Sequence, residues 1–246
     1  MKLSSNSIIH FTDNIDAIYG IFSSGFRLKY CKESISTPID KLVFFAPMVS
    51  FCDIPMSQVK EHISKYGNYG IGLTKEWAER KGLNPVLYLE RQSTVSKSMY
   101  LLLESILSEA GDPDVWEQNE AYAADLVRFM KNYQDDLVRK NHPLIENYRF
   151  SDEREWRYCP PRENCTDMIL AERYIESFSA EANEKLQPFN LEFEAKDIKY
   201  IVLEKESEII PFIDFMRREK GEDYSYRDIE ILSTRIVTSD QIKTDF

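Results

Sequence analysis

The apolar residues of this chain change their spacing twice, and that limits what it can fold into. From residue 7 to residue 90 they fall in short runs rich in β-branched and aromatic side chains, at 7–11, 42–45, 48–51, 69–73 and 85–90. Between Ser98 and Arg139 the spacing becomes helical. Met99, Leu102, Leu103, Ile106, Leu107 and Ala110 form one stripe, and Tyr122, Leu126, Phe129, Met130, Tyr133 and Leu137 form another beyond Gly111-Asp112-Pro113. Strand character returns at 155–159 and 198–203, with helices expected over 167–186 and around Ile209, Ile213 and Met216, and a last strand at 229–232. This pattern predicts an α+β fold with a β core, short helices packed on it, and a helical hairpin inserted at about residues 93–140.

Local signals fill in the order of elements. Thr12-Asp13-Asn14 supplies N-cap chemistry for a helix that ends at Gly25. Residues 26–30 read as a further strand and 31–40, with Ser, Thr and Pro, as an exposed loop, while Ala46-Pro47 separates two strand-like runs. A helix starts at Pro55-Met56-Ser57 and runs to about Lys65, and Thr74 caps another over 75–81, whose Trp77 packs it onto the sheet. The 246 residues hold ten Pro and eight Gly, scattered, with no repeat and no low-complexity stretch. A single domain over 1–246 is therefore expected.

Composition removes several functional classes. Asp and Glu number 42 against 31 Lys and Arg, a net charge of −11, and nonspecific duplex binding depends on cations that neutralise phosphates. The four cysteines, Cys31, Cys52, Cys159 and Cys165, form no CxxC pair and only three histidines accompany them. No metal site is expected, and the thiols read as reduced in a cytoplasmic protein. No apolar run approaches the roughly 20 residues of a membrane helix, so no membrane association is expected. There is no Walker sequence and no GxSxG elbow, which disfavours P-loop enzymes and nucleophilic hydrolases.

Three short motifs, in fixed order, carry the candidate chemistry. His10 and Thr12 lie two apart on the first strand, opposite Ile9 and Phe11, so an imidazole there faces a cleft in which it can bond ribose hydroxyls. Tyr66 and Tyr69 flank Gly67 in a helix-to-strand turn, where a ring can stack on nicotinamide; Ser50 ranks second as a contact to the same cleft. On a later strand, Glu153, Glu155 and Arg157 alternate with Arg154, Trp156 and Tyr158. Loss of nicotinamide from NAD leaves an oxocarbenium-like sugar, and a carboxylate beside the ribose stabilises that charge. Glu155 is the first choice for this role, with Glu153 orienting the acceptor or sharing it. Each motif also has a structural reading: a satisfied histidine at a strand end, a helix C-cap glycine between two packed aromatics, and a surface strand with rim ion pairs.

At these residues the chain resembles the AbiGi-type abortive phage-resistance proteins. The matching stretches are Ile9-His10-Phe11-Thr12 with the following helix to Gly25-Phe26, the run from Met48 to Pro55, His62 through Trp77, Asn84-Pro85-Val86-Leu87-Tyr88, and Glu155-Trp156-Arg157. Such proteins are commonly labelled the antitoxin of a two-gene abortive-infection system, which implies a chain that binds and neutralises a partner toxin. Their motif order is also similar to the His-Tyr-Glu class of ADP-ribosyltransferases, including DarT-like toxins that modify nucleic acid. That likeness implies a split β-sheet core, NAD as substrate, a single-stranded RNA or DNA acceptor, and a neutralising antitoxin protein as partner. The expectation taken forward is the transferase toxin, with the non-catalytic antitoxin as its alternative. A third possibility is a metabolic NAD hydrolase or sensor.

Overall fold

The computed structural model describes residues 5–108, 118–138, 143–161, 169–170 and 176–245. In chain order the elements are β1 (Ser7–Thr12), α1 (Ile15–Ser24), β2 (Lys29–Ser36), β3 (Lys41–Cys52), α2 (Lys60–Tyr66), β4 (Tyr69–Thr74), α3 (Lys75–Arg80), β5 (Asn84–Pro85) and β6 (Leu87–Leu89). They continue with α4 (Thr94–Ser108), α5 (Gln118–Val127), β7 (Met130–Asn132), β8 (Asp135–Leu137), β9 (Ile145–Tyr148), β10 (Glu155–Tyr158), β11 (Ile169–Leu170) and α6 (Glu176–Lys185). The last part holds β12 (Ile198–Leu203), α7 (Ile209–Lys220), α8 (Tyr226–Ser233), β13 (Ile236–Thr238) and α9 (Ser239–Asp245). The fold is mixed α+β, with a large mixed sheet and short helices. Among the described residues no helix is long and apolar enough to cross a membrane.

The chain sorts into two compact units. The first comprises Met1–Leu28, Val49–Asn84 and Gln187–Phe246, and the second Lys29–Met48 and Pro85–Leu186. In the first unit, β4 lies between β1 and β12, antiparallel to both, and β13 adds parallel to β12. The last residues of β3 pair with β1, Ile9 opposite Cys52. Ile8 and Ile9 are both buried, so β1 is covered on its two faces. One face carries Ile9, Cys52, Ile54, Val59, Ile63, Val202 and Ile242, with Phe11 packed against them. Elsewhere in this unit an aromatic cluster gathers around Trp77, which is fully buried, with Phe51 at 5.5 Å and Phe26 at 6.2 Å between ring centroids. Local chemistry fixes the helix starts: the Asn14 side chain accepts from Asp16 N, and Thr74 Oγ1 from Trp77 N.

In the second unit β2 and β3 form a hairpin with continuous register from Lys29 opposite Met48 to Ser36 opposite Lys41. Ile35, Phe44, Ala46 and Met48 of this hairpin pack with Leu89, Leu103 of α4, Ala123, Ala124 and Val127 of α5, and Cys159. Burying residues such as Leu103 or Val127 contributes about 1.5–3 kcal/mol each, and this is what holds the two helices on the strands.

Several expected elements differ. Residues 31–40 are not an exposed loop: β2 extends to Ser36 and only 37–40 turn, with Thr37 N donating to Asp40 O at 3.0 Å. β2 buries only Ile35 fully, so its alternation was masked by polar residues. β3 runs unbroken through Pro47, which stands opposite Tyr30. The second helical stripe stops at Val127, and Met130 and Leu137 belong instead to the short strands β7 and β8. Residues 229–232, expected as a strand, lie in α8, because Ser225 and Asp228 form a capping box that starts a helix there; the last strand is β13. Ile169 and Leu170, placed in a helix by their sequence, pair with Phe45 and Phe44 of β3. Gly111-Asp112-Pro113 and Cys165 lie outside the described residues.

Candidate functional site

His10, Thr12, Ser50, Tyr66 and Tyr69 belong to the first unit, and Glu153 and Glu155 to the second. Within the first unit, His10 and Ser50 meet directly. The ring Nδ1–H donates to the Ser50 carbonyl at 2.8 Å, which fixes the tautomer, and lies edge-on to Phe26 at 5.3 Å and Phe51 at 5.7 Å. Burial pushes the imidazole below its ordinary value, with the Ser50 bond opposing in part, so the ring is neutral at pH 7.

Thr12 comes close to the tyrosine turn through its backbone. Gly67 sits at φ 120°, and any Cβ there would collide with the Thr12 carbonyl and Asp13 N. This approach is why the turn carries glycine. Thr12 Oγ1 accepts from Asn14 N at 3.4 Å. Tyr66 stacks on His62, 4.4 Å between centroids and 26° apart, and His62 in turn tilts against Phe11 at 5.3 Å. Tyr69 is buried, and its hydroxyl lies 3.0 Å from Glu208 Oε1 and 3.2 Å from Glu204 Oε2, one proton serving two carboxylates. Burial and then these carboxylates hold its pKa well above the phenol range. The Glu208 carboxylate also accepts from Glu204 N and Lys205 N, so Tyr69 ties β4 to the start of α7.

The glutamates occupy a different chemical setting. Glu155 and Arg157 alternate on β10 with side chains on the same face, and both are buried, Arg157 with no exposure at all. Glu155 Oε1 accepts from Arg157 Nε at 2.6 Å, and Oε2 accepts from Arg157 at 3.2 Å and from Lys131 Nζ at 2.9 Å. Arg157 also reaches Glu33 Oε2 at 3.0 Å and donates to the Arg128 carbonyl at 2.9 Å. Glu153, also buried, lies 3.8 Å from Lys131. Burial disfavours the charge on Lys131, but the carboxylates of Glu155, Glu33 and Glu153 outweigh it and raise its pKa. The Glu155 backbone N donates to the Tyr88 hydroxyl at 2.9 Å. The result is a largely buried cluster of two cations and three carboxylates in which each charge has at least one partner of opposite sign within 3.8 Å. Beside it, burial pushes the Cys31 thiol up to about 11 and that of Cys159 up to about 12, so both are poor nucleophiles.

Glu33, Lys131 and Arg157 complete this cluster, and only Arg157 had been read near the site. By sequence Glu33 falls in an expected loop and Lys131 in an expected helix, whereas the structure puts them on β2 and β7; the spacing of Glu33 and Ile35 is the signal the sequence offers. Above Glu33 and Lys131 opens a cavity of about 600 Å³, lined also by Lys32, Ser34, Lys41 and Val43 from the hairpin and by Asn132, Asp135, Leu137 and Phe150.

Comparison with known proteins places the chain. A family model described as "Putative abortive phage resistance protein AbiGi, antitoxin" matches residues 25–204. The abortive phage resistance protein AbiGi of Lactococcus lactis subsp. cremoris is 27% identical over 250 residues, covering 89% of this chain and 94% of that protein. No solved structure matches the chain. The matched stretch includes Ser50, the tyrosine turn and the glutamate strand and takes in the whole second unit and well over half of the chain, so the chain belongs to the AbiGi family of abortive phage resistance proteins.

Proposed function

We propose that this chain is the neutralising, antitoxin-type member of a two-gene abortive-infection system and acts by binding a partner toxin protein. The observation that carries the reading is the state of Glu155. A carboxylate that stabilises an oxocarbenium must present its charge to a substrate. Both oxygens of Glu155 are instead engaged by Arg157 and Lys131 in the protein interior. His10 and Tyr69 likewise have internal structural partners. The antitoxin description of the matching family model supports the same direction.

A neutralising protein needs a surface for its partner. On α4 and α5 the outward positions include Val95 (63% exposed), Leu102 (62%), Tyr122 (58%) and Leu126 (57%), with Ser98 and Ser105 between them on α4. On α4 these residues follow helical spacing in one uncharged stripe, Val95, Ser98, Leu102 and Ser105, flanked by exposed Lys97 and Glu104, and an apolar stripe with a charged border suits the centre of a protein interface. The net charge of −11 favours a partner whose own surface is basic.

The order His10, Tyr66 or Tyr69, Glu155 favours a second reading, an ADP-ribosyltransferase-like toxin with NAD as substrate and RNA or DNA as acceptor. One set of experiments separates the two. In bacterial cells the chain alone should be harmless and should rescue growth when co-expressed with the toxic protein encoded beside it. Leu102→Glu with Leu126→Glu should weaken that rescue about tenfold or more without unfolding the chain. Toxicity of the chain alone, with NAD consumption abolished by Glu155→Gln in a folded protein, would replace this proposal with the transferase.

A further inference from the structure

The cavity in the second unit has a charge pattern that the antitoxin reading does not use. Register places its hairpin wall: Lys32 pairs with Phe45, Ser34 with Val43, and Ser36 with Lys41, so Lys32, Ser34, Val43 and Lys41 share one sheet face. Each carboxylate lining the cavity already has a partner. Glu33 is held by Arg157 at 3.0 Å, Asp135 accepts from Ser36 Oγ at 2.7 Å, and Asp136 Oδ1 accepts from Asn147 N at 3.0 Å. The Lys131 ammonium is engaged by Glu155. Among the described residues, Lys32 and Lys41 have no carboxylate within ion-pair distance, although the chain has eleven more acidic than basic residues, 42 − 31. Among the described residues Glu33 is paired with Arg157 and Asp135 lies 3.7 Å from Arg91, while Asp136 meets only a neutral donor, so Lys32 and Lys41 leave the lining with an excess of one positive charge, which favours an anion.

The rest of the lining narrows the class. Asn132 is fixed by two bonds with the Ser36 backbone, at 2.7 and 2.9 Å, so the cavity floor is held in place before a ligand arrives. Val43, Leu137 and Phe150 supply apolar wall, with Lys131 Nζ 4.6 Å from the Phe150 ring centroid. A volume of about 600 Å³ is in the range that takes a ligand with a ring as well as a charged group. We propose that this cavity binds a phosphorylated small molecule of the mononucleotide class, its phosphate between Lys32 and Lys41 and its base against Val43 and Phe150. The proposal stands whether the chain acts as antitoxin or as transferase, because it concerns binding only.

The test is calorimetric titration of the full chain with AMP, adenosine, inorganic phosphate and a single-stranded oligonucleotide. AMP should bind saturably at one site per chain, and adenosine about tenfold more weakly or worse because it lacks the anion. Lys32→Ala with Lys41→Ala should weaken AMP about tenfold or more while the urea midpoint stays unchanged, since both side chains are exposed. Absence of saturable AMP binding at millimolar concentration would overturn the proposal, as would equal binding of adenosine or indifference to the double variant. Binding of the oligonucleotide through Lys32 and Lys41 without AMP binding would overturn it too, in favour of a nucleic-acid surface.

Discussion

Two ionisable side chains of the candidate set are buried in opposite ways. Arg157 keeps its charge in the interior because Glu155 and Glu33 sit 2.6 and 3.0 Å away and the Arg128 carbonyl accepts a further bond. Burying a lone cation would carry a desolvation cost of several kcal/mol, and the paired carboxylates offset it. His10 meets a carbonyl and two phenyl rings instead, and burial wins: its pKa falls. The unfolded chain, with an imidazole near the ordinary 6.5, then holds the proton more tightly than the native one. Stability from the neutral ring is fully present above that unfolded value and is lost as pH falls through the lower folded value. His10→Gln keeps an N–H donor for the Ser50 carbonyl and cannot titrate. Between about pH 7.5 and about pH 5, the urea midpoint of the wild type should therefore fall further than that of His10→Gln. Equal losses would mean that the ring is solvated in the native state.

At the scale of elements, the legible parts were those whose end signals lie in the sequence itself. β1, α1, β4, α3 and β12 follow from Asn14, Thr74, the glycines at 25 and 67 and continuous apolar runs. β2 was not legible, because a strand paired mainly through its backbone need bury only one side chain, here Ile35. Nor was the end of α5, where Phe129 and Met130 continue a helical period although the chain has already turned into β7. Of the candidate site, the residues were nameable but not their partners: nothing near Glu155 in sequence announces Lys131 or Glu33. The α2–β4 turn offers a direct test of what a local signal is worth. Gly67→Ala would force a Cβ into the Thr12 backbone at φ 120°, and should cost about 3 kcal/mol or more, seen as a lower urea midpoint. Gly20→Ala, in α1 with nothing within 4 Å of the new Cβ, should instead stabilise by about 0.5–1 kcal/mol. If the two variants behaved alike, the turn would not approach Thr12 as described.

At the scale of the whole molecule, each unit is assembled from separate stretches of chain, three for the first and two for the second. This has a consequence for where the folding information of the glutamate cluster resides. Residues 85–186 contain α4, α5 and β10, and thus every helical and catalytic-candidate feature of the second unit. They lack Ile35, Phe44, Ala46 and Met48, four members of its buried apolar cluster, and Glu33, a counter-ion of fully buried Arg157. Losing those side chains leaves the inward faces of α4 and α5 without a partner and Arg157 with a shared rather than a full complement of charge. Large-to-small changes at single core positions already cost about 2–5 kcal/mol, and a domain of this size holds only about 5–15 kcal/mol in total. Residues 85–186 expressed alone should therefore lack native order, with no cooperative thermal transition in circular dichroism and collapsed amide dispersion by NMR. Joining residues 29–48 to their amino end through a flexible glycine-serine linker should restore both signals, since the hairpin returns the missing core and the carboxylate together. A cooperative transition in the fragment without the hairpin would show that α4, α5 and β10 hold their arrangement unaided, and that the charge cluster is dispensable to the unit that contains it.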